Sequence, residues 1–188
     1  MQYVHLGRSG VKVSRLCLGT MNFGPETSEA DSFAIMDRAL ELRINFFDTA
    51  NVYSNGESEE TLGRALRDFG RRDEVVLATK VWGPVSAGPN GRGLSRKAIL
   101  SEVDKSMRRL GTDYIDLYWM HCWDRYTPIE ETMRALDDLV RAGKVRYIGF
   151  SDTPAWKTVE AHVTAKLRGW TPLTALQLEY SLIQRTIE

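Results

Sequence analysis

Short apolar runs alternate with long amphipathic segments along the whole chain. Six runs are rich in β-branched or aromatic residues and are too short for typical helices, so they predict buried parallel strands. They lie at residues 16–20, 44–48, 75–80, 115–121, 145–150 and 173–177. Residues 3–13 carry a central Gly-Arg-Ser-Gly and predict a β-hairpin ahead of the first strand.

Five segments between the strands carry an apolar stripe at helical spacing, which predicts helices that bury one face against a sheet. The stripes are Phe33, Met36 and Leu40; Leu62, Leu66 and Phe69; Ile99, Val103, Met107 and Leu110; Ile129, Met133, Leu136 and Val140; and Trp156, Val159, Val163 and Leu167. Thr127 and Thr153, each followed by proline, predict helix N-caps. Gly111, Gly143 and Gly169 predict helix ends.

Strand–helix units that repeat about every 30 residues favour a parallel α/β fold. A doubly wound sheet would place a glycine-rich phosphate loop after its first strand, but residues 19–24 lack the G-x-G-x-x-G spacing. A (β/α)8 barrel instead collects reactive residues from the C-terminal ends of many strands, which is the pattern present here. The sequence therefore predicts a barrel, with a long loop at residues 83–93.

The charge and cysteine content narrow the possible partners. The 188 residues include 25 basic and 25 acidic ones, so the formal net charge is zero and no nucleic-acid partner is expected. No apolar run reaches the ~18–20 residues that a membrane helix needs, and the N-terminus lacks a signal-peptide pattern. Cys17 and Cys122 have no metal-type spacing, so no metal site is predicted. We expect a reduced, cytoplasmic protein, with its oligomeric state left open.

Reactive side chains stand at the ends of the predicted strands. Asp48 ends the second strand, Lys80 the third and His121 the fourth, and Tyr53 follows Asp48 by five residues. Taken singly, each residue is better explained by a structural role, such as capping a turn, lying solvated at the surface or packing against aromatic neighbours. Together they are harder to dismiss, because Asp48 and Lys80 lie within apolar sequence, where a desolvated charge requires a partner.

This set of side chains suits the reduction of a carbonyl group. An ammonium beside a phenolic oxygen stabilises the phenolate, so Lys80, held by Asp48, makes Tyr53 a usable general acid. A neutral His121 can donate a hydrogen bond to the carbonyl oxygen as it gains charge. No side chain delivers hydride, so a nicotinamide cofactor is implied. Two alternatives stay open: an aldolase-type barrel with a Schiff base on Lys80, and a non-catalytic regulatory subunit.

The order of the motifs resembles the aldo-keto reductase family over the whole chain. Residues 46–53, Phe-Phe-Asp-Thr-Ala-Asn-Val-Tyr, resemble its first signature, and Gly-Glu-Ser-Glu follows at 56–59. Residues 78–80 and 116–121 resemble its lysine and histidine strands, and further matches lie at 110–116 and 149–152. The loop at 83–93 resembles the branch that includes potassium-channel β subunits and related bacterial reductases.

The resemblance implies a (β/α)8 TIM barrel that transfers a hydride from NAD(P)H, with NADPH favoured over NADH, to a small aldehyde or ketone. It implies a catalytic tetrad of Asp48, Tyr53, Lys80 and His121. It implies that the backbone of Gly19, Thr20 and Met21 contacts the cofactor. It also implies that four side chains contact the cofactor: Asp48, Ser151, Asp152 and Gln177. It places Asn22, Trp82 and Trp123 at the substrate mouth.

Three features depart from the family pattern. Asp152 is Asn in many members, and Arg43 stands where glycine is usual, so a left-handed turn there would cost roughly 1 kcal/mol. A complete barrel typically needs ~250 residues. About six strands precede Glu188, and residues 179–188 resemble the start of the sixth helix region. We therefore expect residues 1–188 to form an incomplete barrel domain without strands seven and eight, with exposed sheet edges and weak cofactor affinity.

Overall fold

The computed structural model, which describes residues 1–188, begins with an antiparallel hairpin of β1 (Tyr3–His5) and β2 (Lys12–Ser14). A six-stranded parallel sheet follows, in which spatial order equals chain order. Its strands are β3 (Leu18–Gly19), β4 (Phe46–Asp48), β5 (Val76–Val81), β6 (Ile115–Met120), β7 (Val145–Ser151) and β8 (Ala175–Gln177). The predicted hairpin and the predicted parallel units are confirmed, and the curled sheet is part of a (β/α)8 barrel.

A helix lies in each crossover between neighbouring strands. The helices are α1 (Glu29–Glu41), α2 (Glu57–Phe69), α3 (Arg96–Leu110), α4 (Ile129–Arg141) and α5 (Ala155–Arg168). The predicted apolar stripes of α1 to α4 lie in or against the 28-residue core between the helices and the sheet.

The stripe predicted for α5 is wrong, because its four members are exposed. The residues that α5 buries are Ala161 and Ala165, small side chains that let the helix lie close to the sheet. Apolar periodicity marks a face but does not say which neighbour covers it. Since α5 packs beside α4 on one side only, the large side chains on its other side meet solvent.

The helix starts at the two Thr-Pro pairs differ from the prediction. Pro128 and Pro154 are the N-cap residues, and neither makes a side-chain capping bond. The Thr127 hydroxyl instead donates to the Asp124 carboxylate, and the Thr153 hydroxyl donates to a backbone carbonyl in its own loop. Each threonine therefore stabilises the loop before the helix.

All five helices end in a left-handed residue, and after α2 that residue is Gly70, with φ of 62°. Three of these residues are the predicted glycines, with φ of 61°, 74° and 66° at Gly111, Gly143 and Gly169. After α1 the position is Arg43, with φ of 62°. There the Ile44 N–H donates to the Ala39 carbonyl and the Arg43 N–H to the Leu40 carbonyl, both at 2.9 Å, which are the two bonds of a Schellman motif.

The two faces of the sheet carry different side chains, because successive residues of a strand point to opposite sides. The outer face packs on the helices. The inner face holds a small cluster of Ala78, Leu117 and Trp119, against which Leu6 of the hairpin packs. Asp48 and Lys80 stand on this inner face, at the C-terminal ends of β4 and β5.

Strands β3 and β8 are the two edges of the sheet and do not pair with each other, so the exposed edges expected from the sequence are confirmed. Leu176 of β8 is half exposed. Residues 178–188 follow without forming a helix, and Leu182 and Ile183 there are almost fully exposed. None of the helices is long and apolar enough to cross a bilayer.

Candidate active site

Lys80 lies at the centre of the candidate site and is only 1% exposed. Its ammonium forms an ion pair with the Asp48 carboxylate. It also donates to the Thr49 carbonyl oxygen at 2.8 Å and to the Tyr53 hydroxyl oxygen at 3.1 Å. An ammonium has three N–H donors. Each donor of Lys80 therefore has an acceptor, and the charged form is fully satisfied.

The second oxygen of the Asp48 carboxylate accepts a 2.9 Å hydrogen bond from the Trp119 indole N–H. Burial raises the pKa of Asp48, while the Lys80 ammonium, the Gln177 amide and the Trp119 indole oppose that rise. Trp119 is a site residue that the sequence reasoning missed. Strand alternation could have found it, because Trp119 pairs with Lys80 in the β5–β6 register.

Gly149 of β7 provides the space that the Trp119 indole occupies. A Cβ at Gly149 would lie 2.4 Å from an indole carbon and 2.7 Å from the Ala175 carbonyl oxygen. Both distances are far below van der Waals contact, so a side chain here would displace the indole that orients Asp48. The Gly149 position thus belongs to the support of the site.

Tyr53 is placed by a strained turn, the 3₁₀ segment Tyr53–Gly56. Ser54, Asn55 and Gly56 have φ of 49°, 56° and 100°, three consecutive residues in the left-handed region. Asparagine and glycine adopt that region readily, whereas serine does so at a cost. The turn reverses the chain between β4 and α2 and leaves Tyr53 half buried beside Lys80.

A buried ion pair supports this turn from behind. Glu59 is completely buried, and its carboxylate accepts from the Arg109 guanidinium and from the Thr79 hydroxyl, both at 2.6 Å. The Arg109 side chain then packs against Gly56 so closely that a Cβ there would lie 2.9 Å from it. Glu59 and Arg109 therefore hold the turn that carries Tyr53 against α3.

His121 stands edge-on to the Tyr53 ring, with centroids 5.5 Å apart and planes at 83°. Burial, with a smaller contribution from the Lys80 charge, lowers the pKa of His121 to about 4. The imidazole is therefore neutral at pH 7 and carries one N–H. Its Nδ1 is buried and has no hydrogen-bond partner in the protein.

The three side chains predicted to contact a carboxamide lie together at one end of the sheet. Ser151 and Gln177 pair in the β7–β8 register, and the Asp152 N–H donates to the Gln177 carbonyl at 3.3 Å. Ser151 is buried, and Asp152 is exposed in the left-handed region with φ of 40°. A hydroxyl, an amide and a carboxylate together offer the donors and acceptors that a nicotinamide carboxamide requires, so the residues fit that group.

The segment after β3 is anchored to the sheet through Thr20. Thr20 is fully buried, and its hydroxyl contacts the Asp48 carbonyl at 3.1 Å and the Ser58 hydroxyl at 3.0 Å. Its backbone N–H donates to the same carbonyl. Thr20 therefore anchors the segment, and the exposed neighbours Gly19 and Met21 are the ones that a cofactor could reach.

A cavity of about 800 Å³ is lined by residues of the loops that follow β5 and β6. Two of the three predicted substrate residues, Trp82 and Trp123, line it. Asn22 does not, because it lies in the exposed turn after β3. Trp123 also stacks edge-on with Trp156 of α5 at 5.3 Å.

Comparison with known proteins agrees with this geometry. The model of the Aldo/keto reductase family matches residues 15–188. The chain is 48% identical to "Uncharacterized oxidoreductase YrpG" of Bacillus subtilis, over all of this chain and 60% of that protein. It is 42% identical to norsolorinic acid reductase of Aspergillus flavus, over 96% of this chain and 50% of that protein. It is 40% identical to "Probable voltage-gated potassium channel subunit beta" of Oryza sativa, over 98% of this chain and 57% of that protein. The chain thus spans about half to three fifths of the length of these relatives.

Proposed function

The chain belongs to the aldo/keto reductase family, and from that premise we propose that it carries the catalytic centre of an NAD(P)H-dependent carbonyl reductase. One observation carries the proposal. The Lys80 ammonium donates a hydrogen bond to the Tyr53 hydroxyl, and its ion pair with Asp48 holds it in place. The reductase name of one similar protein, norsolorinic acid reductase of Aspergillus flavus, supports this proposal.

Tyr53 supplies the proton in this proposal. Its hydroxyl proton passes to the substrate oxygen, and the negative charge left on the phenol oxygen faces the Lys80 ammonium at 3.1 Å. Asp48 keeps Lys80 charged and in place, because its other oxygen is fixed by Trp119. The proton donor and its counter-ion are thus preorganised before substrate arrives.

His121 stabilises the charge that develops on the substrate oxygen. As a neutral imidazole it donates its single N–H to that oxygen and adds no positive charge beside Lys80. Its edge-on contact with the Tyr53 ring keeps both donors on one side of the substrate.

A nicotinamide cofactor, when bound, supplies the hydride. Ser151, Asp152 and Gln177 would hold its carboxamide beside Asp48, which places the hydride source within the tetrad. We retain NADPH over NADH as the expected cofactor.

The Schiff-base alternative requires an uncharged, accessible amine. Lys80 is 1% exposed and its three donors are occupied, so the structure favours the charged form instead. Sodium borohydride with substrate should therefore leave Lys80 unmodified by mass spectrometry.

The proposal is tested with the 188-residue chain, a panel of aromatic and aliphatic aldehydes, and NADPH or NADH oxidation as the readout. We expect Tyr53→Phe to lose about 10²–10⁴-fold in kcat with cofactor binding retained. Tyr114→Phe, which removes a hydroxyl bonded to Asp73 on the surface, is the matched control and should stay within twofold. Unchanged turnover in Tyr53→Phe overturns the proposed role. Cofactor binding without turnover of any carbonyl favours the regulatory subunit.

A further inference from the structure

The cavity that Trp82 and Trp123 line is built from the loop after β5 and the loop after β6. Trp82 follows the last residue of β5, and Cys122 and Trp123 follow His121 directly. Gly83 packs against Val52, the neighbour of Tyr53, at a distance that leaves no room for a Cβ. The cavity is therefore formed by the loops that follow the strands of Lys80 and His121, and its volume of about 800 Å³ is within the range of small-molecule sites.

The wall of the cavity carries a net positive charge. Arg92 and Arg125 both line it, both are exposed, and neither forms a salt bridge. The one acidic residue in the wall is Asp124. Its carboxylate is occupied by three donors within the protein, the Leu94 N–H at 2.9 Å, the Tyr126 N–H at 3.0 Å and the Thr127 hydroxyl at 2.7 Å. Arg92 interacts with the Asp124 charge only at long range, and neither arginine donates a hydrogen bond to another residue, so their guanidinium donors are available to an anion.

The cavity is also held in shape. The Gly93 N–H donates to the Trp82 carbonyl at 2.8 Å, which closes the β5 loop on itself. Gly93 has φ of 98°, and a Cβ there would lie 2.8 Å from the Asp124 carboxylate, so glycine is needed for this approach. The Arg92 guanidinium lies 4.8 Å above the Trp82 ring. A cation in that position is oriented by the ring rather than free in solvent.

We propose that this cavity selects carbonyl compounds that combine an aromatic ring with a carboxylate. The ring packs against Trp82 and Trp123, and the carboxylate is bound by Arg92 and Arg125. The carbonyl group then points toward Tyr53 and His121. A guanidinium fork matches a carboxylate with two parallel hydrogen bonds, which gives both affinity and orientation. This inference rests on the proposed reductase function, whose substrate class it specifies.

The test compares para-acetylbenzoate with its methyl ester, which has the same ring and ketone but no charge. Binding to the 188-residue chain is measured by calorimetry and tryptophan fluorescence without cofactor. We expect the acid to bind at least about tenfold more tightly than the ester. Arg92→Met should remove most of that difference, and raising NaCl from about 50 to about 500 mM should weaken only the acid. Arg168→Met, which removes an exposed arginine of α5 outside the cavity, should keep it.

Three results overturn the inference: equal affinity for acid and ester, no binding of either, or an equal effect of Arg92→Met and Arg168→Met. Turnover separates it from the proposed function. If the chain reduces simple aldehydes but shows no preference for the carboxylate, the substrate class is wrong and the reductase function holds. If the acid binds as expected but no carbonyl is reduced, the anion site holds and the reductase function fails.

Discussion

The clearest stability prediction concerns Arg43, the one left-handed helix-end residue among five that is not glycine. Arg43→Gly removes the Cβ that makes this conformation unfavourable. The hydrogen bonds of the turn use only main-chain atoms of residue 43, including its carbonyl, which accepts from the Tyr3 hydroxyl at 2.9 Å. They therefore survive the substitution.

The magnitude follows from two opposing terms. A residue other than glycine loses about 1–2 kcal/mol in the left-handed region. Glycine offsets roughly 0.5–1 kcal/mol of this stabilisation, because it gives the unfolded chain more conformational entropy to lose on folding. We expect the free energy of unfolding to rise by about 0.5–1 kcal/mol, which for a chain of this size raises the melting temperature by roughly 1–4 °C.

The assay is urea and thermal unfolding of three variants followed by circular dichroism. Arg43→Ala removes the charge but keeps a Cβ, so it should gain nothing from relief of the turn. This control is needed because Arg43 shares a surface cleft with Lys12 and Arg71, and loss of a positive charge could stabilise by itself. Gly169→Ala is the reciprocal variant, since a Cβ there has nothing within 4 Å and its cost of about 1 kcal/mol is purely conformational.

Two results would refute the reasoning. One is an Arg43→Gly protein that melts at or below the wild-type temperature. The other is an equal gain in Arg43→Ala, which would assign the effect to charge and not to backbone conformation.

Three further predictions concern the site and its support. Gly149→Ala drives a methyl group into the Trp119 indole, so we expect urea unfolding to show a loss of about 2–3 kcal/mol. The pKa of His121 is lowered from near 6.5 to about 4 by folding, so acidification between these values protonates the unfolded chain preferentially. Stability should fall across that window by on the order of 1 kcal/mol, after allowance for solvent screening, as measured by urea unfolding from pH 7 downward. Arg109→Met leaves the buried Glu59 carboxylate without its partner and should cost about 3–5 kcal/mol in the same assay.

Each of these has a matched control. Gly10→Ala adds a methyl group with nothing within 4 Å and should leave stability unchanged. His121→Asn should remove the contribution of His121 to the fall in unfolding free energy at acid pH. The substitution His162→Asn, at an exposed residue, should leave that fall unchanged. Arg67→Met deletes an exposed arginine of α2 and should have little effect. Any control that matches its test variant contradicts the corresponding explanation.

Local pattern was sufficient to predict most of the fold. The alternation of short apolar runs and amphipathic stripes placed every strand of the sheet, because burial on a parallel sheet demands continuous apolar runs. It failed at α5, where Ala161 and Ala165 face the sheet and the bulky stripe faces solvent. Side-chain size does not reveal which side of a helix has a neighbour.

The side chains of the proposed catalytic centre could be named from the sequence because charged and reactive groups are uncommon within apolar segments. Their supports could not. In the sequence, Trp119 is an ordinary strand residue, and only the β5–β6 register shows that it lies opposite Lys80. Gly149 is likewise an ordinary strand glycine, and only the structure shows that the Trp119 indole packs against it. Such roles arise from contacts between units distant in sequence, which no local window contains.

The strands lie in the sheet in the same order as in the chain, and this affects how the protein can fold during synthesis. Each strand pairs with the one synthesised before it, so the sheet can grow one unit at a time as the polypeptide emerges from the ribosome. Asp48, Lys80 and His121 belong to three successive units, and they can assemble once β6 has emerged. The carboxamide residues arrive later, with β7 and β8. The proposed proton-transfer centre can therefore form in the nascent chain before the proposed carboxamide site.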